Sequence, residues 1–259
     1  MADHSAAPIA RRIRTPKIRF ACGWLFAFLP ALGWSEPAVA PPIDSFIRIT
    51  DDEGLAHSDV RAIAQDHDGF IWFGLRLGGL TRYDGYELKV HQHDPANPRS
   101  IGSRLIWSLL VDRGGTLWIG TEGGLDRYDR ASDSFIHYRH DAARPESIAN
   151  NVVTCLFEDA SGRIWAGTRE GLCRLDDRER GVFTTFRRPQ LLKGSTSKDT
   201  FRSITEDTST GLLWLGASDG LAAFDPRTGA FASFLHDPAD AQSLSRNAVN
   251  KVIRDENGQ

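Results

Sequence analysis

The sequence predicts an all-β fold, a β-propeller of four-stranded antiparallel blades. Three observations support this class: a repeated tryptophan, repeated turn signals, and strands that are apolar on both faces. The tryptophan follows Ile or Leu, precedes an X-Gly pair and occurs four times, at spacings of 46, 47 and 49 residues. A nearly constant period of this length indicates one structural unit copied along the chain. The four copies are Trp72, Trp118, Trp165 and Trp214.

The second repeat shows the turn signals that divide each unit into strands. Asp112 and Gly115 bound a short turn, Gly124 opens a later strand that ends at Asp129, and an aromatic run at 135–138 closes the unit. Asp accepts a hydrogen bond from the backbone two residues on, and Gly adopts positive φ, so Asp-x-x-Gly between apolar runs predicts a hairpin. Each unit is therefore predicted to contain four short strands.

The strand that carries the tryptophan is apolar on both faces, which predicts that neighbouring units cover both faces. The glycine two residues after the tryptophan leaves room for a neighbouring backbone. Four-stranded units of about 40–50 residues that stack face to face are typical of propeller blades, and the repeats contain no sustained helical spacing. We predict blades at about 60–94, 105–139, 151–187 and 201–235.

These repeats resemble the two-component regulator propeller repeat over roughly residues 45–259. The positions that carry the resemblance are Val60, Asp66, Gly69, Trp72 and Gly74 in the first copy, and Asp112, Gly115, Trp118, Gly120, Thr121, Gly124 and Leu125 in the second. The first copy has Leu75 where Thr is expected. The fourth has Ala217 at that place and one extra residue in its turn. These departures concern turn geometry and leave the predicted blades unchanged.

The resemblance implies a function as well as a fold. Proteins with this repeat resemble membrane-bound sensors in which an exported propeller binds a small molecule, often glycan-derived, and the output is a histidine kinase or a diguanylate cyclase. We therefore expect a non-catalytic, ligand-sensing module that needs no cofactor and forms a homodimer in the full-length protein.

Two alternatives to the sensor remain. Streptogramin-type lyases resemble this fold, and such an exported propeller enzyme uses a His as its base. His57 and His67 are the only unrepeated histidines after residue 40, so they would be the candidates for that role. The other alternative is a truncated remnant without an independent function.

Residues 1–40 have the composition of a secretory signal peptide. Basic residues between 11 and 19 precede an apolar run at 20–34, and Ala38-Val39-Ala40 forms an A-x-A cleavage site. A retained membrane anchor is the weaker interpretation, because the apolar run is short and the cleavage site is good. Cleavage after Ala40 would leave residues 41–259 as an exported, periplasmic propeller.

Two further strands are predicted at the ends of the propeller. Residues 45–49 resemble the last strand of a unit, and residues 249–254 resemble the first strand of a fifth unit. Together they would supply two strands of a blade and lack its middle two. We therefore expect a partial propeller over 41–259, either the N-terminal piece of a longer protein or a truncated product. Contact with a membrane is expected only through segments missing from this chain.

The charge of the chain argues against polyanionic partners. The chain has 31 Lys and Arg against 34 Asp and Glu, a net charge of −3, and removal of the basic leader makes the remainder more acidic. We therefore expect neither nucleic acid nor an anionic membrane surface as a partner.

Two cysteines follow the leader. Cys155 falls on the first predicted strand of its blade and Cys173 on the third. Non-adjacent strands lie about twice the ~4.8 Å strand spacing apart, which exceeds the ~7 Å that a disulfide can span between Cα atoms. We predict two free, mostly buried thiols.

Histidines and aspartates recur with the repeat, which predicts structural roles for them. His93, His140 and His236 each precede an Asp, with a Ser six residues after that Asp. Equivalent positions of successive blades are spread around a ring, so these sets are expected to organise turns, and no metal site is predicted. The repeated turn aspartates, such as Asp66 and Asp112, are interpreted in the same way, and no catalytic residue is predicted.

Function in a repeat protein is more often found where the repeat departs from its own pattern. Trp107 is not repeated, since Thr154 and Asn250 fall at its place in later units, so it is a candidate ligand-binding residue at the surface. An insertion at 188–200 replaces the usual linker between the third and fourth units. Lys193 and Lys198 flank the Gly-Ser-Thr-Ser core of this insertion and are the other two candidates.

Overall fold

The computed structural model of the protein describes residues 49–50, 54–188 and 200–254. The predicted signal peptide at 1–40 lies outside these ranges, as does most of the strand predicted at 45–49. Its one described residue, at position 49, has no strand pairing. Within the described ranges, no helix is long and apolar enough to cross a membrane.

The described residues contain sixteen strands in four antiparallel sheets, and each sheet consists of four consecutive strands of one repeat. The first sheet contains β1 (Val60–Gln65), β2 (Ile71–Leu75), β3 (Leu80–Tyr83) and β4 (Leu88–His91). The second contains β5 (Ile106–Val111), β6 (Leu117–Thr121), β7 (Leu125–Asp129) and β8 (Ser134–Tyr138). The third contains β9 (Val153–Glu158), β10 (Ile164–Thr168), β11 (Gly171–Asp177) and β12 (Val182–Phe186). The fourth contains β13 (Phe201–Asp207), β14 (Leu212–Ala217), β15 (Gly220–Asp225) and β16 (Ala230–Phe234).

The sheets stack face to face, because residues of the next sheet cover the tryptophan of the preceding one. Trp72, Trp118 and Trp165 are completely buried. The ring of Trp72 lies 5.0 Å from that of Tyr128 in the second sheet, and the ring of Trp165 lies 5.6 Å from that of Phe224 in the fourth. Each interface therefore has its own small core. The predicted fold class, a β-propeller of four-stranded antiparallel blades, is confirmed.

The glycine that lies two residues after the tryptophan, within the same strand, permits this close stacking. A Cβ placed on Gly120 would lie 2.8 Å from the carbonyl oxygen of Val153 in the next sheet and would collide with Ser108 Oγ. A Cβ on Gly167 would lie 3.0 Å from the Cβ of Phe201, again in the next sheet. These positions therefore have room for glycine and not for a residue with a side chain, which confirms the predicted close approach of a neighbouring backbone.

The turn aspartate ties each of the first three hairpins to its interface core. Trp118 Nε1 donates a 2.9 Å hydrogen bond to Asp112 Oδ2, while Asp112 Oδ1 accepts a 2.8 Å bond from the backbone N–H of Thr116. The same indole bond joins Asp66 to Trp72 and Asp159 to Trp165. The aspartate therefore shapes the turn with one oxygen and binds the core tryptophan with the other.

The fourth repeat, which has the longer turn, is arranged differently. Asp207 accepts hydrogen bonds from the hydroxyls of Ser209 and Thr210 within its own turn. Trp214 is only half-buried and stacks on Phe234, with their ring centres 5.5 Å apart. With the extra residue in the turn, the carboxylate of Asp207 is bound by hydroxyl groups of its own turn.

The stretch 249–254, predicted as a strand, is not a strand in the structure. A strand requires a regular ladder of backbone hydrogen bonds with a partner strand. Here the backbone N–H of Val249 donates to the Ala217 carbonyl at 2.9 Å, and that of Val252 donates to Ser203 Oγ at 2.8 Å. The stretch therefore lies against the fourth sheet without joining a ladder.

Candidate ligand site at the inner strands

The first strands of the four sheets lie side by side. β1 contacts β5, β5 contacts β9, and β9 contacts β13. They bound an open cleft of about 430 Å³, to which all four strands contribute side chains. Small-molecule sites typically measure about 300–1,000 Å³, so the cleft is large enough for a small ligand.

A β-bulge occurs at the same place in all four of these inner strands. The register shifts by one residue where β1, β5, β9 and β13 pair with the tryptophan strands. The residue left without a partner across the ladder is Arg61, Trp107, Thr154 or Arg202, respectively. A bulge bends its strand and re-aims a side chain, and all four of these residues line the cleft. The repeated bulge thus directs four side chains into the cleft, and these side chains are of three types: arginine, tryptophan and threonine.

Trp107 lies in this cleft and is partly buried. The guanidinium carbon of Arg61 lies 5.5 Å from the centre of its ring, within the range of a cation–π interaction. Within the described part of the chain, Trp107 Nε1 is a buried donor without a hydrogen-bond partner, which is uncommon for a buried polar atom. Trp107 therefore supplies an aromatic surface to the cleft and has an unused donor.

Three cationic side chains surround the cleft: Arg61, Arg202 and Lys251. Arg61 Nε lies 3.2 Å from Asp59 Oδ1, whereas Arg202 Nη1 donates a 2.5 Å bond to the neutral amide oxygen of Asn250. Lys251 is exposed. None of the described residues that line the cleft is acidic, so the described lining carries a net positive charge.

Thr154 connects two neighbouring sheets at the cleft. Its hydroxyl lies 3.0 Å from the Gly167 carbonyl oxygen of its own sheet and within hydrogen-bonding distance of the Phe201 carbonyl oxygen of the next sheet. Because the second contact crosses the interface, it couples the bulge of β9 to the start of β13.

The thiols of Cys155 and Cys173 are free and buried, as predicted. Cys155 lines the cleft beside Thr154, and burial raises the pKa of its thiol to about 12. Burial also raises the pKa of Cys173. Both side chains are therefore protonated thiols near neutral pH.

Arg61, Arg202 and Lys251 are cleft residues that the sequence analysis does not single out. A signal for the two arginines is present, because they occupy the Trp107 position in the first and fourth repeats, five residues before the turn aspartate. Lys193 and Lys198 lie outside the described residues. Of the three sequence candidates, the structure therefore locates Trp107.

The repeated His-Asp-x5-Ser sets form turns, as predicted. After the second sheet, the backbone N–H of Asp141 donates to Ser147 Oγ at 2.9 Å, and His140 Nδ1 lies 2.9 Å from the Ile148 carbonyl oxygen. The same bonds recur in the sets that begin at His93 and His236. Among the residues that the structure describes, no group of three or more His, Cys, Asp or Glu side chains is placed to hold a metal ion.

A pair formed by the buried carboxylate of Asp126 and the partly buried imidazole of His137 fastens the loop between the first and second sheets. Asp126 Oδ1 lies 2.6 Å from His137 Nδ1, and Asp126 Oδ2 accepts a 2.6 Å bond from the backbone N–H of Gly102. His137 Nε2 lies 3.0 Å from the Pro98 carbonyl oxygen. The hydrogen bond to Asp126 raises the pKa of His137, although burial opposes this shift. The pair has a structural role, since both residues bind the loop backbone.

The two unrepeated histidines lie elsewhere. His57 Nδ1 accepts a 3.0 Å hydrogen bond from the backbone N–H of Asp59. Neither His57 nor His67 is among the described residues that line the cleft.

Stacked four-stranded sheets with a shared cleft at their inner strands define a β-propeller repeat protein. Three segments, at 54–76, 100–123 and 147–170, match the family model of the two component regulator propeller. These three matches agree with the resemblance seen in the sequence. No curated protein matches the chain at a significant level.

Solved structures share this fold at low sequence identity. The extracellular domain of a protein assigned as a hybrid two component system from B. thetaiotaomicron is 21% identical, with a TM-score of 0.54, over 81% of this chain and 39% of that domain. PorZ, a surface component of the type-IX secretion system of Porphyromonas gingivalis, is 14% identical, with a TM-score of 0.53, over 76% and 30% of the two chains. A virginiamycin B lyase from Staphylococcus aureus is 16% identical, with a TM-score of 0.50, over 69% and 56%. The present chain thus spans well under half the length of the first of these domains, and the likeness concerns the fold.

Proposed function

We propose that this chain is a ligand-sensing, non-catalytic propeller module of an exported signal-transduction protein, either a two-component sensor or a diguanylate cyclase. The cleft at the inner strands carries the proposal, because bulges present Arg61, Trp107, Thr154 and Arg202 to one space. The repeats share their core, whereas this position varies among them, which suits specific recognition. The matched repeats and the likeness to an extracellular domain of a two component system support the sensor assignment.

A ligand in this cleft contacts all four sheets at once and so favours one spacing of the blades. The bond from Thr154 to the Phe201 carbonyl is one of the contacts that such a change of spacing would alter. A ligand that binds one arrangement more tightly shifts the population toward it. In the homodimer that we propose for the full-length protein, this shift changes how two propellers pack, and a fused output domain responds.

The chemistry of the cleft favours binding over catalysis. Its described lining offers guanidinium, ammonium, indole and hydroxyl groups, and neither a carboxylate nor an imidazole that could serve as a general base. Cys155, with its raised thiol pKa of about 12, is a weak nucleophile at neutral pH. A lyase of the streptogramin type would need a base such as His57 or His67 in the cleft.

The module is assigned to the periplasm, at the outer face of the inner membrane, on the basis of the leader and the A-x-A site that ends at Ala40. Mass spectrometry of the periplasmic fraction is expected to show a protein that begins at Pro41. Recovery of only the uncleaved chain from the cytoplasm would contradict this location.

Binding without turnover tests the proposed function. The purified chain is titrated with a panel of neutral and acidic disaccharides by isothermal titration calorimetry, and the recovered sugar is analysed by mass spectrometry. We expect saturable binding of at least one sugar, which is recovered intact, and loss of that binding in Trp107→Ala. Tyr86→Ala is the matched control, because Tyr86 is an aromatic residue that is 94% exposed and lies outside the cleft.

Three outcomes would contradict the proposal. Cleavage of a bound sugar, or linearisation of quinupristin under the same conditions, would refute the non-catalytic assignment and favour a lyase. Equal loss of binding in the Trp107 and Tyr86 variants would refute the cleft as the site. Absence of binding across the panel would refute glycan-derived sensing.

A further inference from the structure

We propose that the cleft is an anion-binding site whose ligand carries a carboxylate or sulfate group. Arg61, Arg202 and Lys251 hold the anionic group, and the apolar face of a sugar ring of the ligand packs on Trp107. This inference rests on the proposed function and adds to it the charge and shape of the ligand.

The local charge of the cleft is opposite to that of the whole chain. The chain has a net charge of −3, yet the described lining of the cleft contains three cationic side chains and no acidic one. Cations that share a cleft repel one another and generate a positive potential that attracts anions. A bound anion relieves this repulsion, so it stabilises the arrangement.

The charged partners around the cleft do not neutralise it. Asp59 is shared between two guanidinium groups, since Arg61 Nε lies 3.2 Å from one of its oxygens and Arg76 Nη1 lies 3.5 Å from the other. Arg202 bonds to an uncharged amide. Within the described residues, Lys251 has no carboxylate at ion-pair distance. At least two positive charges are therefore available to a ligand.

The bulges hold these groups in place on rigid strands. Arg61 and Arg202 are the unpaired residues of β1 and β13, the inner strands of the first and fourth sheets. A guanidinium group presents a planar pair of donors that matches the two oxygens of a carboxylate or sulfate. Because Arg61 lies over the ring of Trp107, one subsite combines a cation with an aromatic surface.

The size of the cleft limits the ligand. Its volume of about 430 Å³ lies at the lower end of the range for small-molecule sites. A ligand of one or two six-membered rings with one acidic substituent per ring fits this space, whereas only part of a longer polymer would enter it.

Matched probes that differ in charge test the inference. Digalacturonic acid and its neutral counterpart galactobiose form one pair, and N-acetylglucosamine 6-sulfate and N-acetylglucosamine form the other. Each is titrated into the purified chain by isothermal titration calorimetry at about 50 mM and about 500 mM NaCl. The variants are Arg202→Gln and Lys251→Gln, with Arg180→Gln as the control because its side chain is 78% exposed and outside the cleft.

We expect at least one acidic probe to bind with an affinity about tenfold or more above that of its neutral counterpart. This affinity should fall as the salt concentration rises. Arg202→Gln and Lys251→Gln are each expected to weaken binding about five- to tenfold, while Arg180→Gln leaves it unchanged. The pair that responds shows whether the anion is a carboxylate or a sulfate.

The failures of the two proposals can be told apart. Equal binding of neutral and acidic probes that is lost in Trp107→Ala would overturn the anion inference and leave the sensor function supported. Equal effects of Arg202→Gln and Arg180→Gln would also overturn the inference. Binding of none of the four probes would count against both proposals.

Discussion

The indole Nε1 of Trp165 donates a 2.8 Å hydrogen bond to Oδ2 of Asp159, and both side chains are completely buried. Arg163 Nε donates to the same oxygen at 2.6 Å. Burial disfavours the ionised carboxylate, but the hydrogen bonds from Trp165 and Arg163 outweigh it and hold the pKa of Asp159 below its usual value. A charged hydrogen bond therefore joins the hairpin turn to the core between two blades.

Trp165→Phe is expected to lower the free energy of unfolding by about 3 kcal/mol. A hydrogen bond to a charged group contributes about 1.5–3 kcal/mol, and the smaller ring leaves a cavity. Trp214→Phe is the control, with an expected loss of about 1 kcal/mol, because Trp214 is half-buried and Asp207 bonds within its own turn. Urea denaturation followed by circular dichroism measures both. Equal losses would show that the indole bond contributes little.

Gly120→Ala is expected to destabilise the protein by about 2 kcal/mol or more, because the new methyl group would overpack the interface against Val153 and Ser108. Gly211→Ala separates this effect from backbone strain. Gly211 has a φ of +74°, but no atom lies within 4 Å of an added Cβ. The Gly211→Ala variant is therefore expected to lose about 1 kcal/mol of stability. Thermal unfolding of both variants shows which one is destabilised more. A larger loss of stability in Gly211→Ala than in Gly120→Ala would contradict the packing argument.

His91 is expected to make the protein less stable in mild acid. Burial lowers its pKa to about 4, although Asp133 at 3.9 Å favours the charged form. As the pH falls below about 6.5, the unfolded chain takes up a proton at this residue, whereas the folded chain does not until about pH 4. Stability from this group is therefore present above about pH 6.5 and decreases by about 2 kcal/mol between pH 7 and pH 5.

His91→Phe tests this dependence. The imidazole lies among aromatic rings, 5.8 Å from Trp72 and 5.5 Å from Phe135 between ring centres, so a phenyl ring fits the surroundings. Urea midpoints at pH 7 and pH 5 are expected to differ less in the variant than in the parent. The same decrease in both proteins would assign the acid sensitivity to other groups.

His137 is expected to have the opposite pH dependence. Its hydrogen bond to Asp126 raises its pKa above the usual value, so the folded chain holds this proton more tightly than the unfolded chain does. The stabilisation is fully present below about pH 6.5 and is lost as the pH rises through the raised pKa. In His137→Asn, the loss of stability relative to the parent should therefore be larger at pH 6 than at pH 9. Equal losses at the two pH values would show that the pair is not charged.

Much of the fold could be predicted from the sequence, because blade contacts repeat with the period of the tryptophan. Trp118 and Gly120, for example, recur with their partners in each unit, and the apolar pattern locates the strand that carries them. The indole bond to Asp112 could not be predicted in this way, because the hairpin signal explains the aspartate without it. The stretch 249–254 was wrongly predicted as a strand, since its sequence has the pattern but its backbone lacks a ladder partner.

The candidate site could be located only from the tertiary structure. Local sequence patterns were sufficient to predict the propeller class and the free thiols of Cys155 and Cys173, because the fold class and the separation of the two cysteines follow from the order of strands within one unit. The meeting of Arg61, Trp107 and Arg202 was not accessible in this way, since these residues belong to different blades and share a cleft only because the inner strands lie side by side. A bulge leaves no mark on the apolar pattern of a strand, yet it turns these side chains into the cleft.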